Sequence, residues 1–229
     1  MKQLIGVYGA SGFGRQVMPL IKSQYPYLDK SSFVFIDDSK VTDNLNGHEV
    51  LNFSEFLNYL SAEKSVTIAI ADSKVREILA DKLRKNNIPL IAVEASTVIK
   101  LDEETIELGE GSILCNNVCL KVDIKIGKFF HANTYSYISH DCVIGDYVTF
   151  APRVSCNGNI HIHDHVYIGT GAIIKQGIPG KPLIIGKGAI IGMGAVVTKD
   201  VPAGAVVVKN PAQPLVKSFK REESSVKIA

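Results

Sequence analysis

The sequence predicts a small α/β domain followed by a parallel β-solenoid, on three observations. Short apolar runs alternate with helical stretches up to about residue 95, the pattern of a parallel sheet with crossover helices. From Leu108 an apolar residue then recurs at every sixth position: Leu108, Leu114, Leu120, Ile126, Ala132, Ile138, Ile144, Phe150, Cys156, Ile162, Ile168 and Ile174. Four residues after each of these stand Ser112, Val118, Ile124, Phe130, Ser136, Cys142, Val148, Val154, Ile160, Val166, Ala172 and Ile178, none of them charged.

A period of six matches neither a helix nor a plain strand. It matches a solenoid in which each hexad is one short strand plus a turn, and three hexads close a triangular coil. Gly109, Gly127 and Gly145 recur at the interval of one such coil, and are expected to supply corner angles that other residues resist. One coil cannot bury its own apolar face, whereas a stack of about five or six can. A β-sandwich has no reason to keep one spacing for so long. The series breaks after Ile174 and resumes at Ile185, Ile191, Val197 and Ala203, so Pro179 to Leu183 read as an insertion that loops out from a corner.

In the first domain, Leu4 to Tyr8 is a short apolar run that ends on a glycine turn, so it reads as a buried strand. Gly9-Ala10-Ser11-Gly12-Phe13-Gly14 leads into a helix from Arg15 to about Tyr25. A strand, a glycine-rich turn and a helix N-terminus form an anion site, because the first amides lack intrahelical partners and the dipole favours phosphate. The spacing G-x-x-G-x-G differs from the dinucleotide G-x-G-x-x-G, and a tight turn without a ligand is the competing reading. Phe33 to Ile36 is a second strand. Asp37-Asp38 at its end stand where an acidic residue often meets a nucleoside, or belong to a solvated turn. Ser54 to Leu60 reads as a helix capped by Ser54. Val66 to Ala71 follows as a strand, Ser73 to Asn87 as a helix and Leu90 to Val93 as a fourth strand. Glu94 to Leu101 link this domain to the solenoid. The expected limits are 1–95, 96–213 and a C-terminal tail over 214–229.

A net charge of +2 on 229 residues, with a basic cluster only at Lys217, Lys220 and Arg221, makes no case for nucleic acid or a membrane surface. No apolar run approaches the ~20 residues of a membrane helix. Met1 to Ala10 lacks the apolar segment and cleavage site of a signal peptide, so a cytoplasmic protein is expected. The four cysteines fit a reducing compartment. Cys142 and Cys156 fall on inward positions and read as core. Cys115 and Cys119 are spaced C-x3-C without a second pair, which is a weak zinc signal, and no metal is expected.

Histidine is the side chain suited to acid–base work near neutral pH. His140 occupies the third position of its hexad, off the inward positions, and Asp141 follows it. It reads as a surface histidine or as a base that faces a groove. His161, His163 and His165 alternate as metal ligands do, but they straddle a predicted corner, which splays them and leaves them in solvent.

The repeats from Leu108 to Val208 resemble the hexapeptide-repeat acyltransferases, which form left-handed parallel β-helices and work as trimers. With the first domain included, the resemblance covers almost the whole chain. An N-terminal Rossmann-like α/β domain followed by a left-handed parallel β-helix of hexapeptide repeats resembles the nucleotide-sugar N-acetyltransferases of bacterial amino sugars. It is also similar to sialic acid O-acetyltransferase-like proteins. The segment Phe129-Phe130-His131-Ala132-Asn133-Thr134-Tyr135-Ser136-Tyr137-Ile138-Ser139-His140-Asp141-Cys142 is most similar to enzymes acting on dTDP-4-amino-4,6-dideoxyglucose, or viosamine.

The resemblance implies acetyl-CoA as donor and a nucleotide-linked 4-amino-4,6-dideoxyhexose as acceptor, with dTDP favoured over UDP or GDP. It implies a homotrimer working in surface polysaccharide biosynthesis. His140 would be the general base, Asp141 would raise its basicity, and the amide of Gly158 would stabilise the oxyanion. The nucleotide sugar would lie on Ser11, Gly12, Phe13, Asp37, Asp38, Ala71 and Asn133. CoA would meet Thr149, Thr170 and Met193, with Lys181 of the insertion near its phosphates. The chain departs from the family at Ala71, a glycine in some relatives, and at Thr149, often a histidine. Val208-Lys209-Asn210-Pro211-Ala212 resembles the family's terminating segment near the adenine, and Phe219 to Ala229 reads as a short helix or frayed tail. Three other readings stay open at this point. They are an O-acetyltransferase of a sialic-acid-like sugar, a nucleotide-sugar-binding scaffold without turnover, and a zinc carbonic anhydrase of similar fold that uses three histidines between subunits.

Overall fold

A computed structural model describes residues 2–60, 62–210 and 213–214. Strands β1 (Lys2–Tyr8), β2 (Phe33–Ile36), β3 (Asn44–Leu45), β4 (His48–Leu51) and β5 (Ala62–Ile68) form one sheet in the order β3-β4-β2-β1-β5. β1 pairs in parallel with β2 and β5, and β2 with β4. Three helices, α1 (Gly12–Gln24), α2 (Phe53–Asn58) and α3 (Ser73–Lys85), pack on this sheet. The β3–β4 hairpin is an addition to the elements expected from sequence. Its signal is Asn46-Gly47, whose φ angles of 53° and 78° suit the mirror-image turn that hairpins favour.

Two expectations are corrected in this domain. α2 is capped by Asn52, not Ser54: the Asn52 side chain accepts from the Glu55 amide at 2.9 Å and the Glu55 carboxylate accepts from the Asn52 amide at 2.7 Å. That reciprocal pair needs partners three residues apart, which Asn52 has and Ser54 lacks. The fourth strand over Leu90–Val93 does not form as a unit. Leu90 makes a single bridge to Val66, while Val93–Glu94 pairs in parallel with Ile113–Leu114. The expected linker is therefore already the first coil of the solenoid.

The solenoid is a left-handed parallel β-helix with three faces. The first face runs from Val93–Glu94 through His131–Ala132, Thr149–Phe150 and Tyr167–Ile168 to Val206–Val208. The second carries Tyr137–Ile138, Ser155–Cys156 and Ile173–Ile174, and the third Cys142–Ile144, Ile160–Ile162 and Leu183–Ile185. Between Leu114 and Ile174 the expected inward residues are all buried, and Cys142 and Cys156 are core. Ser112 and Ser136 are also buried, and their hydroxyls donate to the carbonyls of Gly109 and Ala151 at 2.8 and 3.0 Å.

Two expected inward residues leave the core. Ala203 is exposed, with Val201 and Val207 buried in that stretch instead. The other is Ile178, which is 60% exposed, and Leu183 takes its place opposite Ile160. The insertion is therefore Ile178 to Pro182, one residue earlier than the spacing implies. A period cannot say which of two apolar residues resumes the strand, whereas burial can.

The glycines at the interval of one coil have a different role from the one expected. Gly109, Gly127 and Gly145 are absent from the positive-φ corners, which fall two residues later at Gly111, Phe129, Tyr147 and His165. An added Cβ on Gly127 or Gly145 would stand 2.7 Å from backbone atoms of the next coil. Close stacking of coils, not corner angle, demands glycine there.

The α/β domain sits on the first face. Val93, Ile113 and Cys115 are buried against Ile5, Val7 and Val17. Phe129, Tyr147 and His165 stack from coil to coil, with ring centroids 5.2 Å apart and planes within 5°. Among the described residues no helix is long and apolar enough to cross a membrane. Pro211, Ala212 and the expected tail beyond Pro214 lie outside the described residues.

Candidate active site

The turn after β1 carries three glycines with separate reasons to exist. Gly9 has φ +115°, and an added Cβ would lie 2.9 Å from the Ala69 carbonyl oxygen. A Cβ on Gly14 would collide with the Gly9 carbonyl. Gly12 is different, since a Cβ there meets only Arg15 Nη2 at 4.0 Å. Packing therefore places no demand for glycine at Gly12. Gly12 is also the first residue of α1, whose N-cap Ser11 makes no side-chain cap bond and whose first turn holds no acid. α2 and α3 are capped by Asn52 and Asp72. Of α1, α2 and α3, α1 is the one whose first amides have no side-chain cap among the described residues.

In front of this turn, between the domain and the first face, lies a cavity of about 350 Å³. It brings Gly12, Phe13 and Ala71 together with Asn133, Thr149 and Thr170. These six come from both the expected acceptor set and the expected CoA set. Gln16, His131, Ala151, Pro152 and Tyr167 complete the lining and were not foreseen as contacts. Asp37 approaches the same turn, where its carboxylate accepts from the Ala10 amide at 3.4 Å. Asp38 is exposed, with its side chain 49% accessible, and it is also bonded within the protein. It accepts from the Phe53 amide at 2.9 Å, Tyr8 Oη at 2.6 Å and Lys82 Nζ at 2.7 Å. Burial works against its charged form, but bonds from Lys82, Tyr8 and Phe53 outweigh it and hold its pKa below the ordinary carboxylate value.

Behind the cavity wall lies Arg76, which sequence inspection missed. It is fully buried on α3 without a carboxylate in hydrogen-bond range. Its signal was its position: Arg76, Leu79, Ala80 and Leu83 share one helical face, and a cation on an apolar face needs partners. Burial lowers its pKa to about 10, so it stays charged at neutral pH. His131 is fully buried beside it, with Nδ1 3.2 Å from Arg76 Nη1. A guanidinium can only donate, so Nδ1 accepts and the ring proton sits on Nε2. Burial, then the Arg76 charge, hold the pKa of His131 well below its ordinary value. Nε2 has no hydrogen-bond partner; the Ile68 carbonyl approaches the ring without completing a bond. A neutral, enclosed ring of this kind is no stand-in for His140 as base.

His140 lies elsewhere, on the corner between the second and third faces. Its side chain is 49% exposed, and Nδ1 is 2.6 Å from the Asp141 carboxylate. Asp141 occupies the left-handed corner at φ 56°, a conformation that aspartate tolerates better than most residues. Cys142 Sγ donates to the carbonyls of His140 and Asn157 at 3.4 and 3.2 Å, which ties down the loop from beneath. The His140 ring lies over Gly158, where a Cβ would run into Cε1 and Nε2 and stand 2.9 Å from Cδ2. Among the described residues the Gly158 amide donates no hydrogen bond.

Further up the same corner, a cavity of about 420 Å³ is lined by Lys175, Lys181 and Lys199. Met193 is 79% exposed between the first and second faces. One chain thus keeps the His140 corner apart from the first-face cavity. The other histidines do not converge. His163 is exposed and His161 half-buried, while His165 is buried against Tyr147 and not in solvent as expected. Among the described residues no three His, Cys, Asp or Glu side chains are placed to hold an ion. Cys115 is buried under the α/β domain, and burial pushes its thiol pKa up to about 11.

Comparison with known proteins agrees with this architecture. Residues 4–83 match the PglD N-terminal domain. Over 217 residues the chain is 44% identical to the GDP-perosamine N-acetyltransferase of Escherichia coli O157:H7, which spans 94% of this chain and 97% of that relative. WeeI from Acinetobacter baumannii AYE superposes with a TM-score of 0.91 at 61% identity, covering 93% of this chain and 100% of WeeI. The acetyltransferase domain of PglB from Neisseria gonorrhoeae FA1090, in complex with acetyl coenzyme A, superposes with a TM-score of 0.80 at 25% identity, covering 94% and 100%.

Proposed function

Because the chain belongs to the hexapeptide-repeat family of nucleotide-sugar N-acetyltransferases, we propose that it moves the acetyl group of acetyl-CoA onto the 4-amine of a GDP-linked 4-amino-4,6-dideoxyhexose. The guanosine nucleotide replaces the thymidine nucleotide expected from sequence. A relative that matches nearly end to end is named for GDP-perosamine.

The observation that carries the reaction is the His140 ring, held at Nδ1 by Asp141 and seated on Gly158. With Nδ1–H given to the carboxylate, the lone pair of the neutral ring is on Nε2. The sugar amine arrives largely as ammonium and loses its first proton to solvent water, which leaves Nε2 of His140 unprotonated and the amine nucleophilic. As nitrogen attacks the thioester carbon, Nε2 takes the second proton and the carbonyl oxygen gathers charge. The unpaired Gly158 amide supplies a donor for that oxygen. When the carbon–sulfur bond breaks, Nε2–H returns its proton to the CoA thiolate. A base of this kind contributes about 10²–10⁴-fold and an oxyanion donor about 10²–10³-fold.

The free amides of α1 and the open face of Gly12 suit the diphosphate of the nucleotide. Ser11, Phe13, Asp37, Ala71 and Asn133 surround that place. The lysines of the corner cavity, Lys181 among them, suit the phosphates of CoA. The first-face cavity and His140 do not meet in one chain, which supports a homotrimer in which one subunit offers His140 to the cavity of the next. Surface polysaccharide biosynthesis is the natural setting for an N-acetylated nucleotide sugar of this kind.

The test is a turnover screen with GDP-, UDP- and dTDP-linked 4-amino-4,6-dideoxyhexoses and acetyl-CoA, read as CoA thiol release and product mass. The GDP sugar should give the highest kcat/KM and an N-acetylated product. Acetylation of a sialic-acid-like hydroxyl in place of any amine would support the O-acetyltransferase reading and sink this one.

A further inference from the structure

We infer that Arg76 is the positioning residue of the acceptor cavity: its guanidinium sets the spacing between the α/β-domain wall and the β-helix wall. The inference rests on reading the first-face cavity as the nucleotide-sugar site.

The two walls come from separate domains. Ala71 stands on the first, His131 and Thr149 on the second. Arg76 does not line the cavity, yet it bonds to both walls. Nη1 donates to the Ile70 and Ala71 carbonyls at 2.8 and 3.3 Å and to His131 Nδ1 at 3.2 Å. Nη2 donates to the Tyr147 carbonyl at 2.6 Å, the Val148 carbonyl at 3.4 Å and Thr149 Oγ1 at 3.0 Å. One planar, rigid fork therefore reads positions on both sides of the gap, which a flexible ammonium could not do with the same geometry.

The chemistry of the contacts argues for placement over simple glue. A buried cation is commonly neutralised by a carboxylate, and here six uncharged acceptors hold it. Thr149 is 3% exposed and its hydroxyl is committed to Arg76, so its orientation at the cavity is not free to vary. His131 is held neutral in one tautomer, and Phe13 packs on its ring with centroids 5.2 Å apart. Phe13 belongs to the glycine turn. The guanidinium thus controls the turn through His131 as well as the loop after β5 through Ala71. Displacing a wall by about 1 Å can change a rate by about 10²-fold, so a residue that never touches substrate can govern its use.

Arg76→Met, Arg76→Lys, Thr149→Val, His131→Leu and the double variant Arg76→Met/Thr149→Val would be compared with wild type for Tm, the two KM values and kcat. In Arg76→Met the KM for the nucleotide sugar should rise about tenfold or more, and that for acetyl-CoA should change less than about twofold. Arg76→Lys should recover part of the loss. The double variant should lose less than the product of the single effects, since both remove one interaction. If Arg76→Met does not fold, Arg76→Lys carries the test, because it keeps the charge and alters no residue that lines the cavity. Folded variants with a lower Tm and unchanged KM for the sugar would overturn the inference, as would equal rises in both KM values. Failure of wild type to use any nucleotide amino sugar would instead refute the functional reading. In that case calorimetry with GDP decides the matter of Arg76: weaker binding by folded Arg76→Met supports its role, and unchanged binding refutes it.

Discussion

Gly158→Ala isolates the geometry of the His140 site from its chemistry. Every reactive group survives the change, and the amide of residue 158 remains. The backbone tolerates alanine, because Gly158 is not among the positive-φ positions. What changes is the space under the imidazole. The new methyl would overlap Cε1 and Nε2 and stand 2.9 Å from Cδ2, while ordinary contact begins at 3.4 Å. The ring must retreat by about 1 Å, and a shift of that size costs about 10²-fold in rate. The ring is half exposed, so it can swing toward solvent at little cost to stability. We therefore expect kcat to fall about 10²-fold, with both KM values close to wild type and Tm unchanged. Thiol release with a chromogenic disulfide measures the first two and thermal melting the third. A variant with at least half of wild-type turnover would refute the placement of the reactive centre over Gly158. A large drop in Tm would show that the glycine serves the coil and not the ring.

His140→Asn should lower kcat by about 10²–10⁴-fold while calorimetric binding of both substrates persists; turnover near wild type would remove His140 from its role. Gly12→Ala should leave Tm equal or raised, since alanine is the better helix former, yet increase the KM for the nucleotide sugar and not that for acetyl-CoA. An unchanged KM would mean that the open face of Gly12 meets no ligand. Asp38→Asn should lower Tm at neutral pH, because the network with Tyr8, Lys82 and Phe53 loses its charge. The folded pKa of Asp38 is depressed, so its contribution is complete above the unfolded value of about 3.9 and is lost as pH falls through the folded one. Melting curves should therefore show the wild-type advantage at neutral pH shrink below about pH 4. A gap that stays constant with pH would assign the effect to shape and not charge.

The β-helix was legible because its core repeats. Each inward position faces the same environment as the one a coil below it, so apolar residues recur and a period reveals them. The glycine turn was legible for a similar reason, since a strand end, a helix start and a close backbone approach leave few choices of residue. His140 stood out by lying off the inward positions with an acid after it. The period was silent wherever two residues satisfied it equally. It could not choose between Ile178 and Leu183, or say whether Gly127 serves a corner or the contact between coils. Asn52 lost out to Ser54 because a capping box is recognised by both its partners together.

What the sequence alone determined is therefore local or periodic: the two architectures, the glycine turn and the exposed histidine with its carboxylate. What only the tertiary structure decided depends on contacts between residues far apart in the chain. Arg76 meets Thr149 across 73 positions and His131 across 55, and no local pattern records such a meeting. The same holds for Asp38, whose exposed carboxylate pairs with Lys82, 44 residues away. The separation of the first-face cavity from His140 is also a tertiary fact. It follows from which side of a triangular coil the α/β domain covers, and that is set by the burial of Val93, Ile113 and Cys115 beneath the domain.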